Sequence, residues 1–593
     1  MFEHELHQIA ERIRAILAEH DIPAPESIDW SPIPFSGTWG TATNFFRVAA
    51  QEARAGKAPQ GVKVPQRAQQ IAALVAEALG TPEGFQKVEA VRGYLNLYFD
   101  PAAYARHVLE AAFQQKQHFG SLPARGQRVL VEYSQPNTHK AFHVGHLRNV
   151  ILGESVCRIL EAAGYDVVRA NYIGDIGLHV IKWLWNYINY HNGEEPPAED
   201  KIRWMGDLYA EAVKRLEASP DLEAEVRALF ARWDARDPAI VALWEKTRQW
   251  SLEGFDQVYE RLGVHFDRVY FESEVEDPGK ELVEKMIAKG IAADERPEGP
   301  VVVHLDELLG LKKETYRSYV VLRSDGTSLY ATKDLPLAIL KFQEYPDLAR
   351  SIYVIDVRQS LYMQQIFKTL EVMGYPWADK LYHLAYEVVN LPGNVTMSSR
   401  EGTVVLLEDL MREAAARARA VVEEKNPALD DATKDAVADA VGMGAIKYTM
   451  LARENTKIVT FDWERALDFN GVAAPYIQYA HVRANSILRR AGESPTDALA
   501  PAHTLHPAEV ELISQLAQLP EAVRRAAEDF KPLHIANQAY EIARAFNDFY
   551  NQCPVLNAEG EEVVAFRLRL VAAAKYALAA ALRLLAIDAP ERM

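Results

Sequence analysis

Apolar and polar positions keep a readable period in several stretches of this chain, most clearly from residue 128 onward. Arg128-Val-Leu-Val-Glu-Tyr133 is short, apolar and β-branched, as a buried strand should be. Ser134-Gln-Pro-Asn-Thr-His-Lys140 follows, with turn formers and polar side chains. Beyond it Leu147, Val150, Ile151, Ile159 and Leu160 recur at helical spacing, and Gly164 stands where a helix commonly ends. Residues 167–174 read as a second strand of a parallel sheet, with Asp175-Ile-Gly177 as the loop at its end.

The same reading extends along the rest of the chain. Residues 1–105 predict a small α+β domain, with helices over 2–22 and 65–79 and an alternating strand over 93–99. Residues 178–263 predict a helical insertion whose Trp183, Trp185, Trp204, Trp233, Trp244 and Trp250 are packing residues. The second half of the sheet is expected to resume near Phe266, with strands at 301–304, 318–323 and 351–356 and a helix entered through Tyr330-Ala-Thr-Lys-Asp334. A polar, glycine-bearing loop covers 392–402. From Leu406 the pattern is helical, broken at Pro427, Pro475, Pro507 and Pro532. The expected domains are therefore 1–105, 106–395 with the insertion at about 178–263, 396–470, and a separate helical domain at 471–593.

Composition narrows the class. Of 593 residues 49% are hydrophobic and 25% charged, enough apolar material for several cores. Two cysteines, Cys157 and Cys553, make neither a disulfide framework nor a zinc pattern, and a reducing cytoplasm fits them. Acidic and basic residues mix through the first twenty positions, so no signal peptide is expected, and no apolar run reaches transmembrane length. The net charge of −18 argues against indiscriminate nucleic-acid binding but leaves room for a folded RNA read locally. Basic residues cluster at Arg483, Arg489 and Arg490, at Arg524 and Arg525, and at Arg567, Arg569 and Lys575.

Candidate chemistry sits at the strand–loop–helix unit. The free N–H groups and dipole of a helix N-terminus favour phosphate. His143-Val-Gly-His146 opens this helix, so both histidines can donate to a phosphate, and Gly145 lets an adenine ring lie against the backbone. Pro136-Asn137 precedes the motif, Leu147-Arg148-Asn149 follows it, and Thr396-Met-Ser-Ser-Arg-Glu-Gly402 lies far downstream. Together these resemble the two signatures of class I aminoacyl-tRNA synthetases. Val131-Glu-Tyr-Ser-Gln-Pro-Asn137 with Lys140-Ala-Phe-His-Val-Gly-His-Leu-Arg-Asn149 resembles the arginyl-tRNA synthetase family in particular, a likeness that runs from about residue 40 to Met593.

The resemblance implies an α/β fold: a Rossmann-type nucleotide-binding parallel sheet of class I, an N-terminal α+β domain and a C-terminal all-α anticodon-binding domain. It implies activation of L-arginine by ATP, with Mg2+ accompanying the ATP, and transfer to tRNA(Arg), in a cytoplasmic monomer without membrane attachment. It assigns charge stabilisation to His143 and His146, and ATP binding to His143, Gly145, His146, Met397 and Ser398. Ser398, Ser399 and Arg400 belong to the second signature. The family's arginine pocket maps onto Glu132, Asn137, Tyr330, Asp334 and Gln359, which suits a planar, always charged guanidinium. Tyr94 and Asn96 match a tRNA-elbow strand; Tyr476, Gln478, Tyr479 and Arg483 match the anticodon domain. No protein metal cage and no editing insertion are evident. The class pattern of the second signature is Lys-Met-Ser-Lys-Ser, but here Thr396 and Ser399 replace its lysines and Glu401 adds an acid. Lys140 is the expected replacement, with Arg400 the alternative.

Two other readings stay open at this level. Another nucleotidyl transferase of the same fold would explain both signatures but not Tyr330 with Asp334 or the C-terminal domain. A non-catalytic tRNA-binding relative would usually lose one of the two histidines, and both are present.

Overall fold

In the computed structural model the described residues are 2–33, 37–391, 395–396, 406–492 and 494–593. They fall into two compact units. One comprises Met1–Phe119, Arg483–Pro520 and Arg544–Ala577; the other comprises Gly120–Val482, Glu521–Ala543 and Leu578–Met593.

In the first unit, β1 (Ser31–Pro32), β2 (Gly40–Asn44), β3 (Phe85–Val91) and β4 (Tyr94–Phe99) form an antiparallel sheet in the order β1-β2-β4-β3. The alternation in β4 sends Leu95, Leu97 and Phe99 into the core and leaves Tyr94, Asn96 and Tyr98 on the opposite face. Arg92 and Gly93 make the β3–β4 turn, both at positive φ, the conformation of a tight hairpin. Glycine is required there, because a Cβ at Gly93 would meet the Phe46 ring at 2.9 Å. Helices Glu3–Glu19 and Val64–Leu79 bury Ile13, Leu17, Ile71 and Val75, as their spacing predicts.

The second unit is built on a parallel sheet. Its strands are β5 (Arg128–Glu132), β6 (Asp166–Ile173), β7 (Arg268–Phe271) and, further on, two that follow a short side sheet. That side sheet contains β8 (Ala293–Asp294), β9 (Val301–His304) and β10 (Ser318–Leu322), antiparallel in the order β10-β9-β8. With β11 (Leu348–Asp356) and β12 (Leu381–Tyr386) the main order is β12-β11-β5-β6-β7, all neighbours parallel. The strands expected at 301–304 and 318–323 thus belong to their own sheet. The short excursion between them favours an antiparallel pair, whereas a parallel partner would need a crossover.

Helix Val144–Ala162 follows β5 and is buried along most of its length. Gly153 is its close-packing point, since a Cβ there would overlap the Tyr133 ring. Helices Leu178–Tyr190, Lys201–Ala218, Glu223–Asp234 and Pro238–Leu262 make the insertion. Trp183, Trp185, Trp233, Trp244 and Trp250 are buried in a common core and Trp204 packs against it. A small sheet comprises β13 (Val389–Leu391), β14 (Val395–Thr396) and β15 (Val459–Thr460), in the order β14-β13-β15; of the loop expected over 392–402, all but 395–396 lies outside the described residues.

The chain closes with helices Ala474–Ala491, Pro507–Asp529, Leu533–Gln552 and Glu561–Leu584. Pro475, Pro507 and Pro532 fall within one residue of helix starts, where a missing N–H does no harm. Among the described residues no helix is long and apolar enough to cross a membrane.

Candidate active site

Strand order reverses between β5 and β11, and a cavity of about 530 Å3 opens past their C-terminal ends. Open α/β sheets bind ligands at such a switch point. Glu132 reaches the cavity from the end of β5 and Asn137 from the loop beyond it. His143, Gly145 and His146 line it from the start of helix Val144–Ala162. Tyr330 and Asp334 line it from the first turns of helix Tyr330–Glu344, and Gln359 from the turn after β11. Lys140 does not line it. Its ammonium rests 5.1 Å from the centre of the Tyr209 ring, and its charge still reaches both histidines.

The loop that delivers the histidines is held in an uncommon conformation. Ser134, Gln135 and His139 all have φ between 48° and 78°, a region costly for side-chain-bearing residues. Each is pinned. Ser134 N–H donates to Asn149 Oδ1 at 2.5 Å, and its hydroxyl meets Tyr259 Oη at 2.6 Å. Gln135 N–H donates to Asn171 Oδ1 at 3.1 Å, and His139 N–H to Ser251 Oγ at 3.0 Å. The long insertion helix Pro238–Leu262, which carries Ser251 and Tyr259, therefore braces the loop.

His143 caps its helix, and its backbone N–H donates to His146 Nδ1 at 3.2 Å. That bond leaves His146 Nε2 to carry the proton and donate. The two rings stack with centroids 3.8 Å apart. Burial, aided by the nearby Lys140 ammonium, pushes the His143 imidazole down to about 4. Burial and the charges of His143 and Lys140 hold His146 well below the usual histidine range. Near neutral pH both rings are uncharged donors at a helix N-terminus, suited to a phosphate.

Three carboxylates of the same lining cluster together. Glu132 is only 2% exposed and forms an ion pair with the buried Lys341. Glu272, first residue of the helix after β7, pairs with Lys333 at 2.5 Å. Asp334 accepts a hydrogen bond from Tyr362 Oη at 2.5 Å. Burial raises the Asp334 carboxyl to about 7, with Glu132 and Glu272 adding to the rise against the Tyr362 hydrogen bond. Burial likewise raises Glu272, against the pull of Lys333. Tyr330 stands at the mouth, 69% exposed. A cavity lined by uncharged donors and by a carboxylate cluster suits a ligand pair that carries both an anionic and a cationic group.

Glu272, Lys333, Lys341 and Tyr362 were not singled out from the sequence. Glu272 had a usable signal: like Glu132, it is an acid at the end of a short apolar strand. Arg148, in the Leu147-Arg148-Asn149 run, is buried and donates to the carbonyls of Glu387 and Val388 and, at 3.1 Å, of Asn455. It ties the histidine-bearing helix to the approach to β13.

The other candidate positions lie apart from the cavity. Tyr94 is 41% exposed, edge-on to Phe46, and Asn96 is two residues along the same face of β4. On helix Ala474–Ala491, Tyr479 is exposed and Tyr476 packs 5.4 Å from the Tyr540 ring. Gln478 is fully buried, and its amide donates to the carbonyls of Ala440 and Asp588, so it holds the C-terminal segment instead of facing solvent. Arg483 bonds Asn547 and lies over the Tyr550 ring. Met397, Ser398, Ser399 and Arg400 lie outside the described residues.

Known proteins match this arrangement along almost the whole chain. The family model of the class I (R) tRNA synthetase catalytic domain matches residues 108–463, and that of the DALR anticodon binding domain matches 477–593. An arginine–tRNA ligase of Treponema pallidum subsp. pallidum is 36% identical over 547 residues, covering 89% of this chain and 90% of that protein. One of Clostridium perfringens is 37% identical over 525 residues, covering 88% and 90%. The structure of Thermus thermophilus arginyl-tRNA synthetase aligns over 100% of both chains with a TM-score of 0.78 and 29% identity.

Proposed function

We propose roles for the cavity residues from one premise: this chain belongs to the arginyl-tRNA synthetases, of class I. It is an arginine–tRNA ligase, an ATP-dependent enzyme that activates L-arginine and passes the arginyl group to tRNA(Arg). The observation that supports our residue assignment best is that one cavity is lined both by the carboxylate cluster of Glu132, Glu272 and Asp334 and by two uncharged histidines.

The arginine guanidinium docks toward Asp334 and Glu272, with Tyr330 closing over it and Asn137, Glu132 and Gln359 holding the amino-acid end. Guanidinium–carboxylate pairs are planar and charge-assisted, so a neutral analogue leaves buried charge unpaired and is rejected without editing. ATP lies along Gly145 and the helix start, with Mg2+ held by its phosphates and water. The arginine carboxylate attacks the α-phosphorus in line. The bond to the bridging oxygen breaks and pyrophosphate departs. His143 and His146 donate to the phosphate oxygens as negative charge builds, and alignment does the rest. Lys140, Ser398, Ser399 and Arg400 attend the departing pyrophosphate. A hydroxyl of the terminal adenosine of the tRNA then attacks the adenylate carbonyl and releases AMP.

Tyr94 and Asn96 are assigned to the tRNA elbow, and Tyr476, Tyr479 and Arg483 to the anticodon arm, with Gln478 acting through the segment it holds. The family requires tRNA for the first step, and the same requirement is proposed here. ATP–pyrophosphate exchange with each amino acid, with and without tRNA, tests the scheme. Exchange specific to arginine and dependent on tRNA is the expected result. Exchange with another amino acid, or none at all, would refute the pocket assignment.

A further inference from the structure

Lys341 lies on the helix that carries Tyr330 and Asp334, two turns beyond Asp334, but it is fully buried and does not line the cavity. Its ammonium pairs with Glu132 Oε2 and sits 3.8 Å from the centre of the Tyr353 ring. The other oxygen, Glu132 Oε1, accepts from Gln135 Nε2 at 2.9 Å, and Gln135 Oε1 accepts from Asn149 Nδ2 at 3.1 Å. Both oxygens of Glu132 are therefore held from behind, one of them by a cation.

Charge balance follows from the neighbouring pair. Glu272 is matched by Lys333. Asp334 has the Tyr362 hydroxyl and, among the described residues, no lysine or arginine in an ion pair. In this cluster three carboxylates and two lysines leave one net negative charge, on Asp334; the other charged residues of the lining, Asp356 and Glu387 with Arg148 and Arg358, sum to zero.

We propose that Lys341 is a positioning and specificity residue: it fixes the Glu132 carboxylate and cancels its charge, so that the cavity offers one uncompensated negative charge to the one positive charge of the arginine side chain. This rests on the arginine-pocket reading above. Without Lys341 two unpaired carboxylates would share the cavity, and one of them would hold a proton at neutral pH, since like charges at close range cannot both ionise cheaply. The guanidinium would then compete with that proton.

The groups facing this cluster are known. Glu272 and Lys333 stand beside Asp334, and Asp175, paired with Arg248, stands behind Glu272. The hydroxyls of Tyr172, Tyr353 and Tyr362 complete the surroundings. Of these only Tyr353 touches Lys341, and Lys341→Arg keeps the charge beside it, so a titration shifted in Lys341→Met but not in Lys341→Arg reports the Lys341 charge.

The test uses the full chain with tRNA and measures kcat/KM for arginine in pyrophosphate exchange from about pH 6 to about pH 9. The wild type should rise with pH through an inflection near the Asp334 value of about 7. Lys341→Met should move that inflection up by about one unit and lower kcat/KM at pH 7 by about fivefold, through the KM for arginine, with recovery at high pH. Lys341→Arg should keep the wild-type inflection. Glu132→Gln, which leaves Lys341 without its counter-charge, should move the inflection down. An unmoved inflection in both Lys341→Met and Glu132→Gln, or a loss in Lys341→Met that is uniform across pH, would overturn the proposal. Should Lys341→Met fail to fold, Lys341→Gln takes its place, and an inflection unmoved in that variant would overturn the proposal. A wild type that does not activate arginine sinks the pocket reading itself; a wild type that does, with fixed inflections in the variants, sinks only the role of Lys341.

Discussion

Asp334 shows how one side chain gathers the chemistry of this site. It sits four residues after Tyr330, so helical spacing alone brings both to one cavity wall. Its substitution by asparagine removes the one carboxylate of the Glu132, Glu272 and Asp334 cluster that has no lysine partner among the described residues. Asp334→Asn should raise the KM for arginine about 10- to 100-fold, from a charge-assisted hydrogen bond worth roughly 1.5–3 kcal/mol, while the KM for ATP stays nearly constant. Steady-state kinetics in both substrates checks this, and an arginine KM within about twofold of wild type would refute the assignment. The same residue sets a pH dependence. Its folded pKa, about 7, lies above that of an unfolded carboxyl, so the folded protein holds the proton more tightly. Without ligand, this group's contribution to stability is fullest at low pH and is lost as pH rises through about 7. Arginine offsets the exposed charge, so the rise in Tm caused by arginine should be larger at pH 8 than at pH 6; equal rises would contradict it. Glu132, Asn137, Tyr330, Asp334 and Gln359 were reachable from the sequence only as a joint pattern, and they do share one cavity. Glu272 was missed although it follows a short strand as Glu132 ends one, because that position alone does not set one acid among 83 apart until β7 and its helix are placed. Gln478 shows the reverse limit: a motif position can look like a contact and be a buried brace.

At the scale of elements, the strand–loop–helix unit was legible because period and turn chemistry agree over it. The strand became β5, the loop took its left-handed residues, and the helix buried its apolar stripe. What the pattern could not give was the brace. Ser251 and Tyr259 lie over a hundred residues away in the insertion, and nothing local links them to Ser134 or His139. The side sheet of β8, β9 and β10 escaped for a related reason, since short apolar strands look alike whichever sheet they join. Lys140 belongs to this scale, because its role depends on where the loop carries it. It is close enough to depress both histidines, yet it rests on Tyr209 outside the cavity lining. If it swings onto the phosphates to supply the charge missing at Thr396 and Ser399, Lys140→Ala should slow adenylate formation by about 10²–10³-fold, the cost of one charge-stabilising donor. Arginine binding should change little, and Thr396→Lys in the same background should recover part of the rate. Single-turnover adenylation measures it. Near-normal rates in Lys140→Ala would move the role to Arg400.

At the scale of the whole molecule, an enzyme with a net charge of −18 must bind a polyanion at chosen places. Deleting the N-terminal domain is a poor probe of one such place. Met1–Phe119 forms a compact unit together with Arg483–Pro520 and Arg544–Ala577, so the deletion would strip the remaining segments of their core. Point variants on the exposed face of β4 avoid this. Leu95, Leu97 and Phe99 hold the strand from the other side, and Tyr94 and Asn96 contribute little to that core. An exposed aromatic stacks on an unpaired base for about 1–3 kcal/mol, and an amide reads the base edge beside it. Tyr94→Ala should therefore raise the KM for tRNA by roughly tenfold and Asn96→Ala by less, with arginine and ATP parameters and Tm unchanged. Salt adds a second readout. Stacking neutralises no phosphate, so the slope of log affinity against log salt should match the wild type in both variants, whereas loss of a phosphate-binding lysine or arginine lowers it by about one. Filter binding of tRNA across a salt series measures both quantities. An unchanged affinity in Tyr94→Ala would remove this face from the tRNA interface; a weakened affinity with a shallower slope would mean that the substitution displaced a basic neighbour such as Lys87, which lies 5.7 Å from the Tyr98 ring on the same sheet.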